Sequence, residues 1–132
     1  MRKILLALLI IPVPGFPALA DPTGKFDVRG QNPDTGGTYS GTVTVKKTGE
    51  TYDVKWVIAG DTYRGVGIGA LIKDGSFVAG PAHPDDTSLA VGYISGNSFG
   101  MAQYFLQPDG SWKGAWTYGG SGKVAIEEWR KK

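Results

Sequence analysis

The residues best suited to acid–base or metal chemistry lie in the segment Ala82-His83-Pro84-Asp85-Asp86. The chain has one histidine and no cysteine. A histidine beside two carboxylates could work as an acid and base or hold a metal ion. A metal site takes about three or four protein ligands, however, and a proline-rich polar segment is typical of a structural loop. We expect such a loop, and an enzyme built on His83, Asp85 and Asp86 stays open as the less favoured alternative.

Two other patterns match catalytic or cofactor-binding motifs in residue type but not in structural context. Glu127 and Glu128 are neighbours on a predicted strand, so they point to opposite faces and cannot work as a paired acid and base. Gly65-x-Gly67-x-Gly69 looks like a nucleotide-binding loop, but it lies inside a predicted strand with no helix after it. We therefore predict no enzyme activity, no catalytic residues, no metal and no cofactor.

Aromatic side chains are the remaining candidates for function. Tyr and Trp combine a flat stacking face with a polar edge, which suits a small-molecule pocket, although the same residues could simply fill a core. Glycines on the same strand faces add no side-chain volume, and this favours some interior space; they are Gly41, Gly65, Gly67 and Gly114. The residues predicted to bind a ligand are Tyr52, Trp56, Tyr63, Tyr93, Trp112 and Trp116.

The elements that must position these side chains are strands, because apolar and polar residues alternate along most of the chain. Eight strands are predicted, at residues 25–29, 38–46, 51–58, 62–71, 88–93, 99–106, 112–118 and 123–129. All connections are short except residues 77–87, which we predict to be irregular. The fold class is all-β: an eight-stranded up-and-down antiparallel meander that closes into a calycin-like barrel, since closure leaves no long edge strand exposed.

A short repeat supports closure. A small hydroxyl residue, an aromatic residue, any residue and a glycine follow one another at Thr38-Tyr39-x-Gly41, Thr62-Tyr63-x-Gly65 and Ser111-Trp112-x-Gly114. Glycines of this kind allow barrel strands to bend, and a neighbouring aromatic ring can cover the gap that each one leaves.

Six motifs are spread over nearly the whole chain after residue 20: Asn32-Pro33-Asp34, Gly37-Thr38-Tyr39-Ser40-Gly41-Thr42-Val43, Tyr52-x-Val54-x-Trp56, Tyr63-x-Gly65-x-Gly67, Leu89-Ala90-Val91-Gly92-Tyr93 and Asp109-Gly110-Ser111-Trp112-x-Gly114-x-Trp116. Together they resemble a group of small exported proteobacterial proteins. Some members carry the label fibronectin-binding protein, so the resemblance implies an extracellular protein as an alternative partner. In size and meander the chain is also similar to avidin, lipocalin and other calycin barrels, which implies a ligand-binding barrel.

The first 20 residues predict a secretory signal peptide. Arg2 and Lys3 precede the apolar stretch 4–11, and Ala18-Leu19-Ala20 is a typical cleavage site. The apolar stretch is shorter than the roughly 20 residues that span a bilayer. We expect a single domain at residues 21–132, periplasmic or secreted, with no membrane partner after cleavage.

Charge excludes nucleic acid as a partner. The chain has 14 Lys and Arg against 12 Asp and Glu, and two of the basic residues belong to the predicted signal peptide. Three more end the chain as Arg130-Lys131-Lys132, so no basic cluster is left elsewhere to neutralise phosphates. We predict an exported, non-enzymatic barrel that binds a small, partly apolar ligand through interior aromatics. The alternative is an adhesin-type protein that binds other proteins.

Overall fold

The computed structural model describes residues 20–132, so the predicted signal peptide lies outside the described residues except for Ala20. Nine strands make up the regular structure: β1 (Gly24–Gln31), β2 (Thr38–Thr48), β3 (Thr51–Ile58), β4 (Asp61–Lys73), β5 (Ser76–Gly80), β6 (Ser88–Ser95), β7 (Ser98–Leu106), β8 (Trp112–Tyr118) and β9 (Ala125–Lys131). Across residues 20–132 we find no helix with the length and apolar character needed to cross a bilayer.

Eight of the strands close into a ring. Antiparallel pairing runs in the order β1, β2, β3, β4, β6, β7, β8 and β9, and β9 then pairs with β1. The predicted all-β fold with eight antiparallel barrel strands is therefore confirmed. Closure pairs each ring strand on both sides, which removes the exposed sheet edges that an open meander would have.

One strand lies outside the ring, in a segment that we predicted to be irregular. β5 pairs with the second half of β4, where Lys73 lies opposite Ser76 across a two-residue turn. Asp74 and Gly75 in this turn both have positive φ, at 51° and 78°. Two such residues form the tight hairpin turn that matches the natural twist of strands. Prediction of an irregular segment was therefore wrong for residues 77–80, and it is right for residues 81–87, which form no strand.

The barrel interior contains the side chains that alternation assigned to it. Val43, Val54 and Leu89 have no exposed surface, whereas Val66 and Ile68 on the outer face of β4 are more than half exposed. Tyr104 on β7 and Trp129 on β9 complete the interior with almost no exposure. Strand alternation thus separates core from surface around the ring.

One end of the barrel is closed by residues 81–87. The N–H of Ala82 donates to the carbonyl of Glu50 at 2.8 Å, and Thr87 N–H donates to Ala70 at 2.9 Å. Asp86, which is 1% exposed, accepts hydrogen bonds at Oδ2 from the Tyr52 hydroxyl at 2.5 Å and from the His83 N–H at 3.0 Å. A buried carboxylate therefore fastens this loop over the barrel end.

The expectation that glycines leave interior space is wrong. A Cβ atom added to any of the four residues would come within 3.0 Å of a neighbouring atom; they are Gly41, Gly65, Gly67 and Gly114. These glycines let adjacent strands and rings approach closely instead. In three cross-strand pairs a tyrosine ring covers the glycine opposite it: Gly30–Tyr39, Gly100–Tyr93 and Gly114–Tyr104.

Candidate functional site

The other end of the barrel is open and contains a cavity of about 310 Å³. This volume is at the lower end of the range for small-molecule sites. We call the cavity and its wall the aromatic mouth. Seven aromatic residues form most of the wall: Tyr39, Trp56, Tyr63, Tyr93, Tyr104, Trp116 and Tyr118. The remaining lining residues are Asn32, Ile58, Ser95, Ser98, Ala102 and Glu127.

Four of the six residues predicted to bind a ligand line the aromatic mouth, and they are Trp56, Tyr63, Tyr93 and Trp116. The other two, Tyr52 and Trp112, are 1% and 2% exposed and do not line it. Tyr52 lies near the beginning of β3 and Trp112 begins β8, at the end that residues 81–87 close. Alternation reports which face a side chain occupies, but it does not report depth along the barrel, so it could not separate these two residues from the others.

The rings of the wall hold one another in place through edge-to-face contacts, the arrangement that aromatic pairs prefer. Ring centroids are 6.1 Å apart for Tyr39 and Trp116, 6.4 Å for Trp116 and Tyr93, and 5.8 Å for Tyr93 and Trp56. The polar edges are held as well, because Trp116 Nε1 donates to the Gln31 carbonyl at 3.1 Å and the Tyr93 hydroxyl donates to Thr117 at 3.1 Å. The cavity is therefore preformed by rings that cannot reorient freely.

The inner part of the wall contains a buried carboxylate that the sequence analysis missed. Glu127 is 3% exposed and accepts four hydrogen bonds. Its Oε1 accepts from Trp56 Nε1 at 3.0 Å, from the Tyr104 hydroxyl at 2.8 Å and from Trp129 Nε1 at 2.6 Å, and its Oε2 accepts from the Tyr39 hydroxyl. Three of the four donors therefore share Oε1, and one donor contacts Oε2.

A signal for Glu127 was present in the sequence. Adjacent residues on a strand point to opposite faces, so one of Glu127 and Glu128 had to point inward. Trp129 has the same parity as Glu127, and an inward tryptophan would have assigned Glu127 to the interior. Glu128 instead points outward, 2.5 Å from Arg130 Nε and 3.6 Å from Lys113 Nζ.

Negative charge dominates the electrostatics of the mouth. Glu127 is its single charged lining residue, and the salt bridges among residues 20–132 do not involve it. Burial, followed by the charge of Glu127, raises the pKa of Tyr93 to about 12 and raises the pKa of Tyr39 and Tyr104 well above the ordinary value. These phenols therefore remain neutral at physiological pH.

The His83 segment does not bring its three titratable groups together around one space. Asp86 points into the barrel end, where its carboxylate accepts a hydrogen bond from the Tyr52 hydroxyl. The His83 side chain, by contrast, is about half exposed. His83 Nδ1 accepts from the Asp85 N–H at 3.0 Å. These hydrogen bonds stabilise the loop that closes this end of the barrel, and they account for the polar residues of the segment.

Within the described part of the chain, no group of three or more His, Cys, Asp or Glu side chains is arranged to hold a metal ion. Comparison with known proteins adds no relative: no protein-family model matches the chain, and no curated protein matches it.

Proposed function

We propose that this protein is an exported, periplasmic or secreted binding protein without enzyme activity, which holds a small, partly apolar molecule in the aromatic mouth. The observation that supports it best is the preformed cavity of about 310 Å³ with its aromatic wall. A core that only stabilises a fold has no need of such space, because protein interiors pack closely.

The polar groups of the wall support the same function. Small-molecule sites combine an apolar surface with a few polar groups that orient the ligand. Asn32, Ser95 and Ser98 supply such groups beside the rings. The open end faces solvent, so a ligand can enter without movement of a strand.

Indole N–H signals in NMR spectra provide a direct test, because the four tryptophans occupy different places. Benzyl alcohol, a small and partly apolar probe, is titrated into the protein. We expect the signals of Trp56 and Trp116, which line the mouth, to shift in a saturable way, while the signal of Trp112 stays unchanged. Equal shifts at all the tryptophans, or no saturable shift, would overturn the proposal.

A pair of variants links binding to the mouth. Trp116→Leu removes a ring of the wall, and we expect the affinity for benzyl alcohol to fall about tenfold, which corresponds to about 1.4 kcal/mol. Phe105→Leu is the matched control, because this ring is 42% exposed and lies outside the mouth. It should leave the affinity unchanged.

A second candidate, an adhesin-type protein that binds an extracellular protein, is favoured by the outer surface of the barrel. Neighbouring strands β4, β6 and β7 expose an outer apolar patch in which each large side chain is more than half exposed: Val66, Ile68, Ile94, Phe99 and Met101. Contiguous apolar surface is typical of protein interfaces. Binding to immobilised fibronectin that is abolished by the double change Ile94→Ser and Met101→Ser would support this function, and equal binding by the double variant would contradict it.

A further inference from the structure

We propose that the aromatic mouth selects small organic cations, in particular alkylated ammonium compounds, over neutral or anionic molecules of the same shape. This inference rests on the proposed function, since it names the class of ligand that the mouth would bind. Two independent features carry it, the uncompensated charge of Glu127 and the set of aromatic faces that surround the cavity.

The first feature is a buried negative charge with no positive partner. Buried carboxylates are usually paired with a cation, because an isolated charge is costly in an apolar surrounding. All four partners of Glu127 are neutral groups, two indole N–H groups and two phenol hydroxyls. Hydrogen bonds from neutral donors stabilise the carboxylate but leave its net charge in place. A cation bound in the mouth would supply the missing positive charge.

The charge of Glu127 reaches the wall of the cavity. It contributes to the raised pKa of Tyr93, although Tyr93 makes no hydrogen bond to it and donates instead to Thr117. A field that disfavours a second negative charge at this ring favours a positive charge beside it.

The second feature is the electron-rich character of the ring faces. A cation within about 6 Å of a ring centroid is attracted by the quadrupole of the ring, and tryptophan is the most effective partner. Trp56, Trp116 and Tyr93 form consecutive parts of the wall, and their hydrogen-bonding groups are already used by Glu127, Gln31 and Thr117. A ligand in the cavity would therefore meet mainly the carbon surfaces of these rings. Trp56 and Tyr39 also donate to the carboxylate, which polarises both rings towards greater electron density.

Other ligand classes fit these features less well. Among residues 20–132, no Lys, Arg or His lines the mouth, so an anion would find no positive charge from them there. A calcium or magnesium ion takes several oxygen ligands, and among residues 20–132 Glu127 is the single carboxylate that lines the mouth. An organic cation needs no positive group and no set of oxygen ligands in the wall. Its alkyl groups contact the rings, and its charge interacts with Glu127 through space.

Choline and its neutral analogue 3,3-dimethylbutan-1-ol (dimethylbutanol) test the inference. The two molecules have the same shape, but a carbon atom in dimethylbutanol replaces the quaternary nitrogen of choline. An ordinary apolar cavity prefers the neutral compound, because the cation must lose water of hydration. We expect the reverse order here, with choline bound at least about tenfold more tightly in calorimetric titrations and in the shifts of the Trp56 and Trp116 indole signals.

Variants separate the two contributions. Trp116→Leu keeps an apolar side chain and removes a ring face, so it should weaken choline binding about fivefold or more while changing dimethylbutanol binding less. Glu127→Gln removes the charge and should reduce the preference for choline over dimethylbutanol, while the rings remain. Glu128→Gln, on the outer face, is the matched control and should retain it. If the Glu127→Gln protein is unfolded, the test rests on Trp116→Leu. Equal losses of choline and dimethylbutanol affinity in this variant would then contradict cation selectivity.

The outcomes distinguish this inference from the function on which it rests. Dimethylbutanol binding as tightly as choline would overturn cation selectivity and leave small-molecule binding intact. Saturable binding of benzyl alcohol without any binding of choline would do the same. If none of the three compounds binds in the mouth, both proposals are refuted.

Discussion

Replacing Glu127 with glutamine tests whether this carboxylate organises the open half of the barrel. The substitution keeps size and shape and removes the charge. If the amide oxygen takes the place of Oε1, it can still accept from Trp56, Tyr104 and Trp129. The amide N–H₂ then faces the Tyr39 hydroxyl, which can rotate and accept a hydrogen bond. All four contacts survive as neutral hydrogen bonds.

The magnitude follows from the difference between charged and neutral hydrogen bonds. A hydrogen bond to a charged group contributes about 1.5–3 kcal/mol to stability, and a neutral one contributes about 0.5–1.5 kcal/mol. Each exchange costs about 1–1.5 kcal/mol, so four of them predict a loss of about 4–6 kcal/mol in the free energy of unfolding for Glu127→Gln. Glu127→Ala should cost more, because two buried indole N–H groups can only donate and would be left without an acceptor.

The assay is urea denaturation followed by tryptophan fluorescence and circular dichroism, with Glu128→Gln as the matched control. Glu128 pairs with Arg130 and Lys113 on the outer surface, where an ion pair contributes about 1 kcal/mol or less. Equal losses for the two glutamine variants, or a Glu127→Gln protein as stable as the parent, would refute the assignment of Glu127 as the centre of a buried hydrogen-bond network.

Three further predictions concern the closed end and the tyrosines. Gly69→Ala should destabilise the barrel by about 1–3 kcal/mol in urea unfolding, because the new methyl group would overlap the Asp86 carboxylate. Gly92→Ala is the control, because no atom lies within 4 Å of the new methyl group, and it should leave the urea midpoint almost unchanged. Equal destabilisation by Gly69→Ala and Gly92→Ala would contradict the packing argument. Tyr52→Phe should cost about 1–3 kcal/mol, since Asp86 would keep only the His83 N–H as a donor; a change below 0.5 kcal/mol in the same assay would show that water replaces the hydroxyl. Stability should hold up to about pH 10 and fall as the pH rises further, because the unfolded chain releases phenol protons before the folded chain does. The urea midpoint between pH 9 and 12 measures this, and a flat profile would be inconsistent with the raised pKa values of Tyr39, Tyr52, Tyr93 and Tyr104.

Alternation along the strands was enough to predict most of the fold. It assigned side chains such as Val43, Val54 and Leu89 to the interior, and hairpin-short connections then left an antiparallel barrel as the economical topology. The β4–β5 hairpin escaped the prediction because Pro81 and Pro84 made the whole segment look irregular. Proline excludes a strand only at its own position, so residues before it remained free to pair.

The candidate site was predictable only in part. Trp56, Tyr63, Tyr93 and Trp116 line the mouth as the aromatic pattern suggested, whereas Tyr52 and Trp112 lie deep at the closed end. We expected interior space because glycines lack side chains. The structure contradicts this reason, since neighbouring strands and rings occupy the space beside these glycines. The cavity lies at the barrel end opposite residues 81–87, and a list of residues on a face cannot reveal that position.

The sequence by itself determined which side of each strand is apolar, where the chain turns and which types of side chain the interior contains. These properties depend on residues close together in the chain, because strand alternation and turn geometry are local. Tertiary structure decided what surrounds Glu127. Its donors come from β2, β3, β7 and β9, and they are 88, 71, 23 and 2 residues away along the chain. Only ring closure, which sets the order and stagger of the strands, brings two indoles and two phenols to one carboxylate.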